Sequence, residues 1–73
     1  MIYFDENKVV IQSFKKILKV DDYEIIFIFN NKTITINGEN LSIPFFETDE
    51  FIIKGNIIKI EISKWLDQYI YIE

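Results

Sequence analysis

Two related stretches decide the fold predicted for this chain: Thr33-Ile-Thr-Ile-Asn-Gly-Glu-Asn-Leu-Ser-Ile43 and Phe51-Ile-Ile-Lys-Gly-Asn-Ile-Ile-Lys-Ile-Glu-Ile62. Aligned on Gly38 and Gly55, their apolar positions coincide without a gap. Asn37-Gly38 suits a type I′ turn and Gly55-Asn56 a type II′ turn, because these turns need residues that tolerate a positive φ. Each stretch therefore predicts a strand, a tight turn and a second strand.

Two-residue loops fix the pairing of their flanking strands, so a register follows from each predicted turn. Apolar residues then meet apolar residues across every pair, as a correct register requires. The turns and the pairs they set are Asn37-Gly38 with Ile34 opposite Leu41, Gly55-Asn56 with Phe51 opposite Ile60 and Ile53 opposite Ile58, Asn30-Asn31 with Phe27 opposite Ile34 and Ile25 opposite Ile36, and Asp21-Asp22 with Leu18 opposite Ile25 and Val20 opposite Tyr23.

These registers predict one continuous apolar face of the sheet. Val9–Ile11 and Ile2–Phe4 indicate further short strands, and Pro44 is expected to end a strand because it has no N–H to donate. The face consists of Leu18, Ile25, Phe27, Ile34, Ile36, Leu41 and Ile43.

The fold class predicted is all-β, an antiparallel meander of short hairpins that closes into a small sandwich, barrel or roll. Residues 1–73 form a single domain. In the tail, Ser63 could cap a helical turn near residues 63–68, whereas Tyr69–Ile72 favours a strand. We expect a short turn followed by a final strand.

Composition excludes several classes of protein. A chain of 73 residues buries only about 60% of its unfolded surface, and small domains often need an additional constraint. Cys and His are both absent, so disulfides and His/Cys zinc sites are excluded, and no cofactor, metal or catalytic residue is predicted. The net charge of −4 argues against nucleic-acid binding. No signal peptide or membrane-spanning stretch is expected.

The opposite face of the sheet is the predicted location of an interaction surface. Ile26, Ile28, Ile52 and Ile57 are expected to point away from the first face. A sheet that is apolar on both sides must be covered on both sides. Either these residues fill a second core layer, or they form a docking face. Among the aromatic residues, Phe45, Trp65 and Tyr69 are further candidates for that surface, and Phe46 is expected in the core.

Charged residues give weaker signals. Lys15, Lys16 and Lys19 either protect a strand edge from aggregation or form a basic patch. The predicted register places Glu50 opposite Glu61, a pair that could support acid–base chemistry or hold a divalent cation. Screening by Lys54 and Lys59 on the same face is the simpler interpretation.

Several motifs between Val9 and Ile62 match one known pattern. They are Ile17-Leu-Lys-Val20, Tyr23-Glu-Ile25, Thr35-Ile-Asn-Gly-Glu-Asn-Leu-Ser-Ile43, the acidic residues after it, and Phe51-Ile-Ile-Lys-Gly-Asn-Ile-Ile-Lys-Ile-Glu61. Over this range the chain resembles the YabP/YqfC sporulation proteins. The resemblance implies a role in endospore formation, in the mother cell near the forespore envelope, without enzymatic activity and with membrane-protein partners. It implies no site residues, because the shared pattern defines a fold. The chain departs from the family pattern by beginning almost at the first strand and by carrying Trp65 and two tyrosines in its tail.

The function expected is therefore that of a cytoplasmic, non-enzymatic assembly or adaptor protein. It would act through an apolar sheet face or a strand edge, by self-association, with a membrane-embedded sporulation protein, or both. One alternative is a small β-barrel that binds an apolar ligand or peptide, which requires an enclosed cavity. A less favoured alternative is a carboxylate-dependent hydrolase, which requires Glu50 and Glu61 to face each other.

Overall fold

Two strands of 15 residues each organise the structure. The computed structural model describes residues 1–5 and 7–64, and within them six antiparallel strands form one sheet in the order β1-β2-β6-β5-β4-β3. The all-β prediction is confirmed. The sheet remains open, since β1 and β3 end the order. The strands are β1 Ile2–Asp5, β2 Lys8–Gln12, β3 Lys16–Val20, β4 Glu24–Phe29, β5 Lys32–Phe46 and β6 Glu50–Lys64.

The two glycine turns that the sequence predicts are not formed. Asn37-Gly38 lies inside β5 and Gly55-Asn56 lies inside β6. The chain reverses between them, where the Glu47 N–H donates to the Glu50 carbonyl at 2.7 Å. The two related stretches therefore pair with each other rather than each with itself. Ile34 faces Ile62 instead of Leu41, and Ile60 faces Ile36 instead of Phe51.

The glycines are needed because two backbones approach closely at this point. A Cβ on Gly38 would lie 2.1 Å from the Asn56 carbonyl oxygen, and one on Gly55 would lie 2.7 Å from the Asn40 carbonyl oxygen. Gly55 also has a φ of 137° and Asn40 a φ of 55°. Three shifts of register follow one another along β5 here, and such bulges bend a hairpin. Each glycine thus makes room for the backbone of the other stretch.

The bend divides the sheet into two layers that face each other. Phe27 of one layer meets Phe51 of the other with ring centroids 5.3 Å apart, in the edge-to-face arrangement that aromatic pairs favour. One buried cluster joins residues of both layers, including Val9 and Ile11 with Ile25 and Phe27. The first layer consists of β1, β2, residues 50–54 of β6 and residues 42–46 of β5; the second consists of β3, β4, residues 32–37 of β5 and residues 57–64 of β6.

Other turns match the sequence prediction to different degrees. Asn30 and Asn31 have positive φ values of 56° and 64°, as a primed turn requires. The pairs predicted from this turn are confirmed. Around Asp22 the chain does reverse, but Val20 faces Ile25 where Leu18 was expected.

The hairpin reverses one residue later than predicted, since the Asp21 N–H donates to the Glu24 carbonyl at 2.8 Å, and this places Val20 opposite Ile25. β3 also contains a bulge. It falls between Ile17 and Lys19, and a bulge changes which side chains of a strand point to the core. Ile17 packs against the core cluster as a result. All residues of the predicted face are buried or partly buried, but Leu18 is not among those that pack against the core cluster.

Further predictions concern the ends of strands. β1 and β2 are confirmed over Ile2–Phe4 and Val9–Ile11. Pro44 does not end β5, because the register shift between Ser42 and Phe45 accommodates the missing N–H without ending the strand. Ser63 lies within β6. The turn and final strand predicted for the tail fall on residues 65–73, outside the described part of the chain.

The bend can be tested by adding one methyl group. We expect Gly38→Ala to lower the free energy of unfolding by about 2 to 3 kcal/mol, because the methyl group would overlap a backbone oxygen that cannot rotate away. Urea unfolding followed by circular dichroism measures the change. The matched control is Ser42→Ala, at an exposed position of the same strand. Its effect on stability should be below about 0.5 kcal/mol, as is usual for surface substitutions. Equal stabilities for the two variants would contradict the close approach.

Candidate interaction surface

An apolar row crosses the outer side of the first layer, facing away from the core. Tyr3 pairs with Val10, Val10 with Ile52, and Ile52 with Phe45, so the four side chains adjoin one another across four neighbouring strands. Phe45 is 39% exposed and Tyr3 46%, whereas Val10 between them is only 3% exposed. We call these four residues the outer row. Two exposed rings flanking a buried floor form a surface that could receive an apolar partner.

The structure separates the four isoleucines predicted for the second face. Ile52 and Phe45 come together in the outer row. Ile26 and Ile28 lie on the second layer, beside Thr35 and Thr33 respectively, and Ile28 is buried. The surface around Ile26 and Ile28 is therefore partly polar.

The sequence predicted that Ile57 points away from the core, whereas the structure places it toward the core. It packs against the core cluster, because the register shift after Asn37 places it opposite Gly38. Trp65 and Tyr69, the remaining candidates, lie outside the described residues. An interaction role for these candidate residues stays a prediction.

A second apolar row, which sequence reasoning missed, runs along the end of β6. Ile58, Ile60 and Ile62 are 64%, 36% and 63% exposed. We call these residues the β6 row. The predicted Gly55-Asn56 turn would have placed Ile60 and Ile58 in a short hairpin, opposite Phe51 and Ile53. With the turn absent, their alternation with Lys59 and Glu61 is the only sequence signal that could have revealed a row on one side of a strand.

Phe46, which follows Pro44 and Phe45, lies between the core and solvent. Phe46 is 59% exposed, although it was expected in the core. Its ring still stacks on Phe51 at 6.1 Å and meets the edge of Phe14 at 6.0 Å. Phe46 therefore covers one end of the core while presenting its other side to solvent.

A small cluster of charges holds the turn beside the bend. Lys19 Nζ lies 2.6 Å from Glu24 Oε1, and Asn37 Nδ2 donates to Glu24 Oε2 at 3.3 Å. The carbonyls of Asp22 and Tyr23 accept hydrogen bonds from the N–H groups of Leu41 and Gly38, at 2.8 and 3.1 Å. The cluster thus connects the turn after β3 to the bent part of β5.

These contacts shift two pKa values in opposite directions. The hydrogen bonds from Lys19 and Asn37 lower the pKa of the Glu24 carboxyl, and the hydrogen bond to Glu24 raises the pKa of the Lys19 ammonium, because each bond favours the charged form. Both partners are therefore charged across the neutral range. The carboxylate contribution is lost as the pH falls through the lowered pKa, and the ammonium contribution as the pH rises through the raised one.

The lysines of the β3 region have different neighbours. Lys15 and Lys16 line a surface cleft of about 230 Å³ together with Ile28 and Asn31. Lys19 instead contacts Glu24 and Asp21, the latter at 3.6 Å. β3 is an edge of the sheet, where exposed lysines discourage pairing with other chains.

The carboxylate pair required for a hydrolase is not formed. Glu50 lies opposite Gln12 and Glu61 opposite Thr35, because the register that brought them together depended on the absent Gly55-Asn56 turn. Glu61 instead contacts Lys59 at 3.4 Å, with both side chains well exposed. Within residues 1–5 and 7–64, no three or more Asp or Glu side chains gather as metal ligands would.

The fold and its surfaces define a small antiparallel β-protein with exposed apolar rows. The model of the YabP family matches residues 1–66 of the chain. The chain therefore belongs to the YabP family, which confirms the resemblance seen in its hairpin stretches. Membership indicates a sporulation-associated role, and the family is not known as a family of enzymes. No curated protein and no solved structure matches the chain.

One further finding concerns membranes. In the part of the chain that the structure describes, no helix has the length and apolar character needed to cross a bilayer.

The charge cluster predicts how stability depends on pH. Glu24→Gln should lower the free energy of unfolding near neutral pH, because it removes the carboxylate that Lys19 and Asn37 contact. The difference from the unsubstituted protein should shrink as the pH falls from the ordinary Glu value of 4.5 through the lowered pKa of the folded state, below which the carboxyl is protonated in both states. Urea unfolding at a series of pH values measures it. Glu47→Gln, in the exposed turn, controls for the loss of one negative charge. A Glu24→Gln effect independent of pH would contradict this account.

Proposed function

We propose that this protein is a non-enzymatic assembly or adaptor component of the developing spore envelope. It acts in the cytoplasm of the mother cell, near the forespore membrane, by self-association, by binding a membrane-embedded sporulation protein, or both. Family membership supports the sporulation setting, and the outer row supports the adaptor role. The outer row is a continuous apolar row on a chain with a net charge of −4.

Contact between a continuous apolar row and water is unfavourable. Exposed apolar side chains are ordinary when scattered, but a continuous row across four strands favours a partner. Aromatic rings at the ends of such a row can act as anchors, because they bury large areas with few rotatable bonds. Val10 is already buried between the rings, so part of the apolar floor is formed before any partner arrives.

The ligand-binding alternative receives less support. A barrel for an apolar ligand needs an enclosed, apolar cavity. The cleft of about 230 Å³ lies at the surface and is lined by two lysines, Lys15 and Lys16, and by Asn31. The core itself is filled by interlocking rings and isoleucines such as Phe27, Phe51 and Ile25.

The sporulation role predicts a phenotype. Deleting the gene in its host should reduce the number of heat-resistant spores, and a fluorescent fusion that restores sporulation should collect around the forespore in the mother cell. Both follow if the protein joins an assembly at the envelope. Heat-resistant spores in normal numbers, or fluorescence spread evenly through the mother cell, would count against the proposal.

The outer row predicts which residues that phenotype needs. Tyr3→Ser combined with Phe45→Ser removes both exposed rings and should fail to restore sporulation in the deletion strain. The matched control is Val20→Ser, which removes an exposed apolar side chain from the edge strand β3 and should restore it. Circular dichroism of the purified variants verifies that both fold. Full restoration by the folded double variant would show that the outer row is not the functional surface.

A further inference from the structure

One edge of β6 has no neighbouring strand in the described part of the chain. β2 pairs with β6 only as far as Lys54, and the Gly55 N–H donates to the carbonyl of Asn7 just beyond. From there to Lys64, β6 pairs with β5 on its other side alone. An unpaired edge presents N–H and C=O groups that can bind a further strand.

This open edge carries the β6 row on its inner side. Ile60 and Ile62 lie beside Ile36 and Ile34, which are buried, so the row continues the core toward solvent. The first layer does not cover it. A strand added to this edge would therefore gain apolar contact as well as backbone hydrogen bonds.

The sequence of the edge is complementary to itself. Around Ile60 it runs Ile58-Lys-Ile-Glu-Ile62, which keeps its apolar pattern and exchanges its charges when read in the opposite direction. Two antiparallel copies centred on Ile60 would place Lys59 of each opposite Glu61 of the other, and Ile58 opposite Ile62. Opposite charges facing each other across strands stabilise the pair.

Neighbouring registers do not share this complementarity. Centring the pair on Lys59 would set two lysines directly opposite each other, and centring it on Glu61 would set two glutamates opposite each other. A shift that places odd against even positions would set isoleucines directly opposite charged residues, on the same face of the sheet. In the register centred on Ile60, isoleucine faces isoleucine on one side of the sheet and lysine faces glutamate on the other.

We propose that the open edge of β6 binds the same edge of a second copy of this chain, antiparallel and centred on Ile60. This inference names one partner for the proposed assembly role and rests on it. The pairing joins two sheets into one continuous sheet across a two-fold axis, and the two β6 rows merge on its inner side. The exposed Lys59–Glu61 contact within one chain competes only weakly, since such surface ion pairs contribute little.

Exchange of charges tests the pairing and its register together. K59E places Glu against Glu61 twice in each dimer, and E61K places Lys against Lys59 twice. Each variant alone should bind itself about tenfold more weakly than the unsubstituted protein, because two pairs change from attraction to repulsion. Sedimentation equilibrium of the full chain over a range of concentrations measures the dissociation constant.

Recovery of binding when complementary variants are mixed distinguishes the proposed register from a general effect of changed charge. A one-to-one mixture of K59E and E61K should form heterodimers about as tight as the original dimer, since every facing pair is again opposite in sign. The double variant K59E/E61K should recover self-association for the same reason. Raised salt should weaken the original dimer and the mixture alike.

Three results would overturn the inference. The unsubstituted chain could be monomeric at every concentration, which would mean that the edge does not bind a second copy. Dimers could form without responding to the charge changes, which would place the interface elsewhere. K59E and E61K could each fold, as judged by circular dichroism, yet fail to restore binding when mixed. The proposed role in sporulation is tested separately by the deletion strain, so either conclusion can fail alone.

Discussion

The structure depends on one place where two backbones come too close for a side chain to fit between them. At Gly38 and Gly55, each of the two related stretches lies against a backbone carbonyl of the other, at Asn56 and Asn40. This contact allows the long β5–β6 hairpin to bend through successive bulges without separating its strands. A straight hairpin of this length would be a ribbon with no interior. The bent one folds back on itself and encloses a core.

The surfaces follow from the same bend. The bend gives the first layer an outer side that faces away from the core. Because two layers made from so short a chain overlap only in part, the second layer leaves apolar side chains uncovered where the first ends. The outer row lies on the first layer, and the β6 row lies at the edge of the second. Sequence alternation places Lys59 and Glu61 on the polar side of that edge, so its charges as well as its isoleucines select what can bind there.

Much of the fold could be predicted because several signals were local. The Asn30-Asn31 turn needs two positive φ angles that asparagine tolerates well, and its register placed Ile25, Phe27, Ile34 and Ile36 correctly. The family followed from the same stretches. Strand identity in β1 and β2 followed from their β-branched and aromatic residues.

The errors came from residues whose local signal has two meanings. A glycine beside asparagine indicates a turn, but it equally permits a close approach of two backbones, and only the long-range pairing of β5 with β6 decides between them. From that single error followed the wrong facing of Glu50 and Glu61, the wrong side for Ile57 and the missed β6 row. Leu18 was misplaced for a similar reason, because the hairpin reverses one residue later than predicted and the bulge in β3 leaves no mark in the sequence.

Methyl and aromatic contacts measured by nuclear Overhauser effects on the full chain in solution test the bent hairpin most directly. The bend predicts contacts between Ile36 and Ile60, between Ile34 and Ile62, and between the rings of Phe27 and Phe51. Contacts between Ile34 and Leu41 and between Phe51 and Ile60, without the first set, would mean two separate hairpins and would contradict the account.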